Sequence, residues 1–162
     1  ISAFLVPSDS PGLTIGKKDR KMGQRGTTTS DVMFDNVRVP ASAIIGLKPG
    51  RGFRLAMRVL DRGRMHIAAL ATGACKRLIA EMTGFAKERR QFGKPIAEYQ
   101  LIQAMIADSY TEYLASRALV EQTAAIYDRE GAARTEASAA KYFATEAVGR
   151  VADRAVQVHG GA

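Results

Sequence analysis

Between Phe53 and Phe85 the apolar side chains return every three or four residues: Phe53, Met57, Leu60, Ile67, Ala71, Ala74, Leu78, Met82 and Phe85, with Arg64 on the same line. That is the period of one face of an α-helix, sustained for about nine turns. A helix of this length gains most of its stability by burying such a face against neighbours. Gly63, Gly73 and Gly84 lie inside it, and each costs about 1 kcal/mol relative to Ala, so the burial has to outweigh them. The expected span is about Arg51 to about Arg89, interrupted by Gln91-Phe92-Gly93-Lys94-Pro95.

Two further helices follow. Ile102, Ile106, Tyr110, Tyr113, Arg117, Val120, Ala124 and Tyr127 mark the second, with a stop at Glu130-Gly131. Ala137, Ala140, Ala144, Val148, Val151, Ala155 and Val158 mark the third, closed by Gly160-Gly161, where glycine suits a C-terminal cap. Joined by short loops, the three must pack antiparallel. The first forty-odd residues read as β structure instead. Ala3-Phe4-Leu5-Val6 runs into Pro7, and Leu13-Thr14-Ile15 follows a turn at Ser8 to Gly12. Val32, Phe34, Val37 and Val39 alternate with polar residues as far as Pro40, slipping register across Asp35-Asn36, which predicts a bulge or turn.

The formal charge of +8 invites a nucleic-acid reading, so its location matters. Residues 51–98 hold eleven basic and four acidic side chains, and the excess is mainly Arg. Arg51, Arg54 and Arg58 suit a solvated helix face, or a ligand bearing phosphates that guanidinium groups grip in pairs. No aromatic residues interleave with them to stack bases, which speaks against single-stranded nucleic acid. No apolar run nears the ~20 residues that cross a bilayer. With one Cys, neither an internal disulfide nor a thiolate-rich metal site can form. His66 and His159 lack companions at ligand spacing, and Cys75 reads as core. The chain opens on Ile1 rather than Met and closes on Gly160-Gly161-Ala162, so a piece of a longer protein is expected.

Three segments could carry chemistry. Arg64 lies on the apolar line with Asp61 one turn before it, either an ion pair holding helices in register or a polar cluster at a ligand pocket. Arg89 and Arg90 precede an aromatic and a glycine, which would make a phosphate cradle, although cations at a helix C-terminus also satisfy its dipole. Gln157-Val158-His159-Gly160-Gly161 sets an amide before backbone N–H groups, or is only a helix cap.

In their order along the chain, these pieces resemble the acyl-CoA dehydrogenase family. The resemblance rests on Gly12-Leu13, Met22-Gly23-Gln24-Arg25, Val32-Met33-Phe34-Asp35-Asn36-Val37-Arg38-Val39-Pro40 and Gly50-Arg51-Gly52-Phe53. It continues through Asp61-Arg62-Gly63-Arg64, Arg89-Arg90-Gln91-Phe92-Gly93-Lys94-Pro95-Ile96, Gln100 and Gln157-Val158-His159-Gly160-Gly161.

The resemblance implies an α+β piece, mainly α. Residues 1–45 would be the second half of a middle β domain. Residues 46–162 would be three long antiparallel helices of a four-helix bundle that lacks its last helix, leaving an exposed apolar groove. It further implies α,β-dehydrogenation of an acyl-CoA thioester, with FAD as cofactor and electrons passed to an electron-transfer flavoprotein. A same-fold alternative is an acyl-CoA oxidase or nitroalkane-oxidase-like enzyme using oxygen. An alternative of another class is a basic helical nucleic-acid-binding module.

By motif, Arg89, Gln91, Phe92, Gln100, Gln157, Val158, His159, Gly160 and Gly161 would hold FAD, typically that of the neighbouring subunit. Asp61, Arg62, Gly63 and Arg64 would line the acyl-CoA pocket. No catalytic residue is expected here. Where some relatives place the base, this chain has Gly63, and the glutamate is expected beyond the C-terminal end. Homodimers or homotetramers are usual in the family. Twenty-seven Ala and an Arg excess over Lys point to a bacterial, cytoplasmic enzyme, or to the mitochondrial matrix if eukaryotic.

Overall fold

The structure is a computed structural model that describes residues 1–161; Ala162, at which the sequence reading ends the helical domain, lies outside the described residues. Three long helices dominate: α1 (Gly52–Glu88), α2 (Gln100–Glu130) and α3 (Arg134–His159). α1 begins and ends within one residue of the expected limits. α2 stops where expected, at Gly131, whose φ of 70° is a left-handed cap and whose N–H donates to the Tyr127 carbonyl at 2.7 Å. The chain divides into two compact units, Ile1–Met57 and the residues from Arg58 on, with the division inside α1.

In the first unit β1 (Leu13–Ile15) pairs antiparallel with β2 (Val32–Phe34), Leu13 opposite Phe34 and Ile15 opposite Val32. The strand expected to run on to Val39 ends here. Asn36 takes φ 50°, a turn at the point where the alternation slips, so Val37 and Val39 leave the ladder. The strand expected at Ala3–Val6 is not formed either. It reduces to one bridge between Phe4 and Ile44, with Leu5 N–H donating to Ala43 O at 2.9 Å and Ile45 N–H to Ala3 O at 2.8 Å. Pro7 removes the next donor on one side, and a 3₁₀ turn at Ala41–Ala43 curls the other away.

In the second unit the helices run up, down, up. Ala68 and Ala71 of α1 pack with Ala140 and Ala144 of α3, and further on Met82 and Ala86 pack with Ala155 and Val158, so α1 and α3 are parallel. α2 opposes both and sets Tyr113 between Cys75 and Val151. α2 and α3 pack along each other, and the buried residues they carry include many small ones: Ser109, Ser116 and Thr123 on α2, and Ala137, Ala140, Ala144 and Ala147 on α3. Each buried hydroxyl donates to a carbonyl one turn back, at 2.7 Å from Ser109, 2.8 Å from Ser116 and 2.7 Å from Thr123. Hydroxyls therefore enter the core without an unmet polar atom. Across the same seam Glu112 Oε1 accepts from Arg150 Nε at 2.6 Å, and Oε2 accepts from Arg154 Nη1 at 2.8 Å.

The expected line on α3 is the buried one; the lines on α1 and α2 are buried only in part, at Ala71 and Met82 on α1 and at Tyr113 on α2. On α1, Phe53, Leu60 and Ile67 are 59%, 50% and 44% exposed, while Ala68, Ala71, Thr72, Cys75, Met82 and Ala86 are buried. On α2, Tyr110 and Arg117 face out, and the hydroxyl residues that hydrophobic periodicity passes over face in. Closely approaching helices select for small side chains rather than for apolarity alone, which turns the buried stripe away from the most hydrophobic one.

Candidate functional site

The break after α1 is a two-residue hairpin. β3 (Arg90–Gln91) pairs with β4 (Lys94–Pro95), Arg90 opposite Pro95 and Gln91 opposite Lys94. Its tip is Phe92-Gly93 at φ 49° and 86°, the paired left-handed conformation that matches the twist of two strands. Glycine suits it. Phenylalanine does not, and holding a bulky L-residue there costs about 1 kcal/mol. Nothing in this chain offsets that cost by packing, since Phe92 is 93% exposed.

Around the tip, the two guanidinium groups differ. Arg90 Nη2 folds back to donate to Gly93 O at 3.2 Å, whereas Arg89 is exposed and forms no ion pair among the described residues. Gln91 projects into solvent while its carbonyl accepts from Tyr99 Oη at 3.0 Å. The Lys94 ammonium sits 4.5 Å above the centre of the Tyr99 ring. These contacts seat the hairpin on the start of α2, where Gln100 is exposed.

The end of α3 reaches the same place. Val158 is buried with Met82 and Ala86, and Ile96 and Ile102 pack into that cluster. The His159 ring stacks on Phe85 with centroids 4.4 Å apart, and its Nδ1 lies 2.7 Å from the Ala155 carbonyl. A carbonyl only accepts, so Nδ1 is the donor in this contact and Nε2 is left free of it. Gly160 gives its N–H to Val156 O at 3.0 Å and Gln157 O at 3.2 Å. Arg89, Gln91, Phe92, Gln100 and Gln157 to Gly161 are thus gathered at one end of the helical unit. Val158 and His159 spend their side chains on packing, leaving Gln157 and the glycine backbone exposed.

Asp61 and Arg64 form the expected pair, Asp61 Oδ1 accepting from Arg64 Nη1 at 2.7 Å, with Asp61 only 20% exposed. A residue that no motif marks joins them: Arg134, the first of α3, whose Nε donates to Asp61 Oδ2 at 3.2 Å. A legible signal was present in the sequence, because a cation at a helix start opposes the dipole and calls for a partner. Arg62 is exposed and Gly63 half-buried beside them. From Arg64 to Arg89 the axis of α1 rises roughly 37 Å at 1.5 Å per residue, so the two groups stand far apart in one chain.

Cys75 is fully buried; burial, and then the Glu112 charge, push its thiol up. No group of three metal-binding side chains occurs among the described residues, and no helix there is long and apolar enough to cross a membrane.

The family model for the acyl-CoA dehydrogenase C-terminal domain matches residues 50–162. The chain belongs to the acyl-CoA dehydrogenase family. It is 44% identical over 161 residues to an acyl-CoA dehydrogenase of Bacillus subtilis, covering 99% of this chain and 42% of that protein. It is 42% identical, with the same coverage of both proteins, to a caffeyl-CoA reductase–Etf complex subunit of Acetobacterium woodii. Among solved structures, butyryl-CoA dehydrogenase from Megasphaera elsdenii superposes with a TM-score of 0.92 at 38% identity, over 99% of this chain and 42% of that one. The chain therefore spans about two fifths of the length of the acyl-CoA dehydrogenases it matches.

Proposed function

We propose that this chain supplies two half-sites to a flavin-dependent acyl-CoA dehydrogenase: one for FAD at the hairpin end of the helices, one for the thioester around Asp61 to Arg64. The observation that carries the reading is the distance between them. Hydride transfer needs the flavin ring against the thioester, whereas roughly 37 Å of helix, longer than the reach from an FAD diphosphate to its ring, separates the diphosphate-gripping end from Asp61 to Arg64 in one chain. The hairpin end is therefore read as serving the cofactor whose substrate sits on a second copy, which makes a homodimer or homotetramer part of the active form.

The residues fit such a cofactor. Arg89 is a cation without a carboxylate partner, suited to a diphosphate, and Gly93 lets backbone come near. Phe92 offers a flat, uncovered ring beside them. Gln100, Gln157 and the backbone of Gly160 and Gly161 add amide groups, and Val158 and His159 set the position of that loop by packing. FAD, when bound, accepts the hydrogen that leaves the β-carbon as hydride. Asp61, Arg62, Gly63 and Arg64 border the acyl-CoA, and Gly63 has no group that could take the α-proton. The base is assigned to a glutamate outside residues 1–162. Electrons would pass on to an electron-transfer flavoprotein, in the cytoplasm of a bacterium or the mitochondrial matrix of a eukaryote.

The experiment uses the enzyme that carries this chain. The purified protein should be yellow, oxidise an acyl-CoA thioester with electron-transfer flavoprotein as acceptor, and lose flavin when Arg89 is changed to Ala. A colourless protein that stays so after incubation with FAD refutes the proposal.

A further inference from the structure

The motif Asp61-Arg62-Gly63-Arg64 is incomplete as the structure presents it, because the carboxylate at its head is held from another helix. We propose that Arg134 is a positioning residue for the substrate site, fixing Asp61 and through it the guanidinium of Arg64. The inference rests on the reading of Asp61 to Arg64 as the group bordering the acyl-CoA.

Three observations carry it. First, the Asp61 carboxylate takes two guanidinium groups: Oδ1 accepts from Arg64 Nη1 at 2.7 Å, and Arg134 Nε straddles the carboxylate, 3.2 Å from Oδ2 and 3.5 Å from Oδ1. A single ion pair one turn apart on one helix contributes little and holds a rotamer weakly. The second guanidinium, from α3, stops the carboxylate from turning, and Arg64 has no other ion-pair partner among the described residues. Second, Arg134 stands where an arginine is locally disfavoured. It is the first residue of α3, a cation at the positive end of the helix, after Ala133, which offers no capping side chain. An acidic residue at this place in the first turn would serve α3 itself better. Arginine supplies reach and directed N–H groups instead, and it brings a carboxylate to that end of the helix. Third, the Arg134 side chain is 62% exposed, so the core does not depend on it. Its placement serves Asp61 rather than packing.

The test compares Arg134→Met, Arg64→Met and the double variant in the complete enzyme. The readouts are kcat, KM for acyl-CoA, flavin content, melting temperature and the Kd of a non-oxidisable acyl-CoA thioether. Arg134→Met should raise KM and that Kd roughly tenfold, below the ~100-fold that a 1 Å displacement at a reacting centre can cost. Flavin content should be unchanged. Arg134→Lys, which keeps the charge but not the fork, should recover part of the loss. In the Arg64→Met background the second substitution should change Kd by clearly less than about tenfold, since its route through Arg64 is gone. Effects that multiply in the double variant, or a Kd that Arg134→Met leaves untouched, overturn the inference. If the parent enzyme binds no acyl-CoA, the functional reading fails and this inference with it, before any variant is made.

Discussion

Glu112→Gln tests how the α2–α3 seam is held. In the native protein both carboxylate oxygens are occupied, by Arg150 Nε at 2.6 Å and Arg154 Nη1 at 2.8 Å, and the Glu112 side chain is 19% exposed. Glutamine keeps the shape and one acceptor, but it turns an NH₂ toward one of two guanidinium groups and removes the charge that both require. Breaking a fully buried pair costs about 3–5 kcal/mol. An exposed pair is worth about 0–1 kcal/mol. Arg150 is 47% and Arg154 23% exposed, so the seam falls near the lower figures, and about 1 kcal/mol is expected. For a domain of this size that is a fall of about 2–4 °C in Tm at neutral pH.

The pH dependence has a definite sign. Burial pushes the Glu112 pKa up, but hydrogen bonds from Arg154 and Arg150, reinforced by their charges, outweigh it and hold the carboxyl below its ordinary range. A depressed acid stabilises the fold above its unfolded value, about 4.3 for Glu. That stabilisation is lost as the pH falls through the lower, folded value. Thermal unfolding of parent and variant, followed by circular dichroism from pH 7 downward, should show a gap that is constant to about pH 5 and narrows below about pH 4. No gap at pH 7, or a gap that widens on acidification, would refute the reasoning.

Phe92→Asn should raise the stability of the flavin-free protein by about 0.5–1 kcal/mol, because asparagine tolerates the left-handed conformation, while lowering flavin retention. Melting with and without FAD measures both, and a variant that gains in each contradicts the assigned role. Met82→Ala, at a fully buried position between α1 and α3, should cost about 2–5 kcal/mol in urea unfolding. The Cys75 thiol, fully buried and shifted upward, should ignore an aromatic disulfide reagent at pH 8 and react in full once the protein is unfolded. Rapid labelling of the native protein would contradict that burial.

The helices were legible because periodicity and glycine stops are local signals; the buried face was legible on α3 and only in part on α1 and α2. Phe53, Leu60 and Ile67 carry the apolar period on α1 with Ala71, yet Ala68, Thr72 and Cys75 join Ala71 in the core, and α3 presents Ala140 and Ala144 to Ala68 and Ala71. Which neighbour a helix meets, and how near it comes, is absent from its own sequence. On α2, Ser109, Ser116 and Thr123 are polar in isolation and become core residues only because each hydroxyl bonds to its own helix. The strands failed for a related reason. Ala3-Phe4-Leu5-Val6 has β composition, but a ladder needs a partner, and its partner segment turns at Ala41–Ala43.

The candidate site divides along the same line. Arg89, Gln91 and Phe92 are consecutive, so the sequence places them together, and the hairpin adds only the left-handed tip that pushes Phe92 outward. Arg134 lies seventy-three residues from Asp61, with no spacing rule to connect them. Only its discomfort at a helix start hints at a distant anion. The rise of α1 matters most, because it converts two readable motifs into an argument about assembly: twenty-five residues of uninterrupted helix cannot bend Arg64 back to Arg89. The helix runs through Gly73 unbroken, and the proposed use of a second copy rests on that continuity.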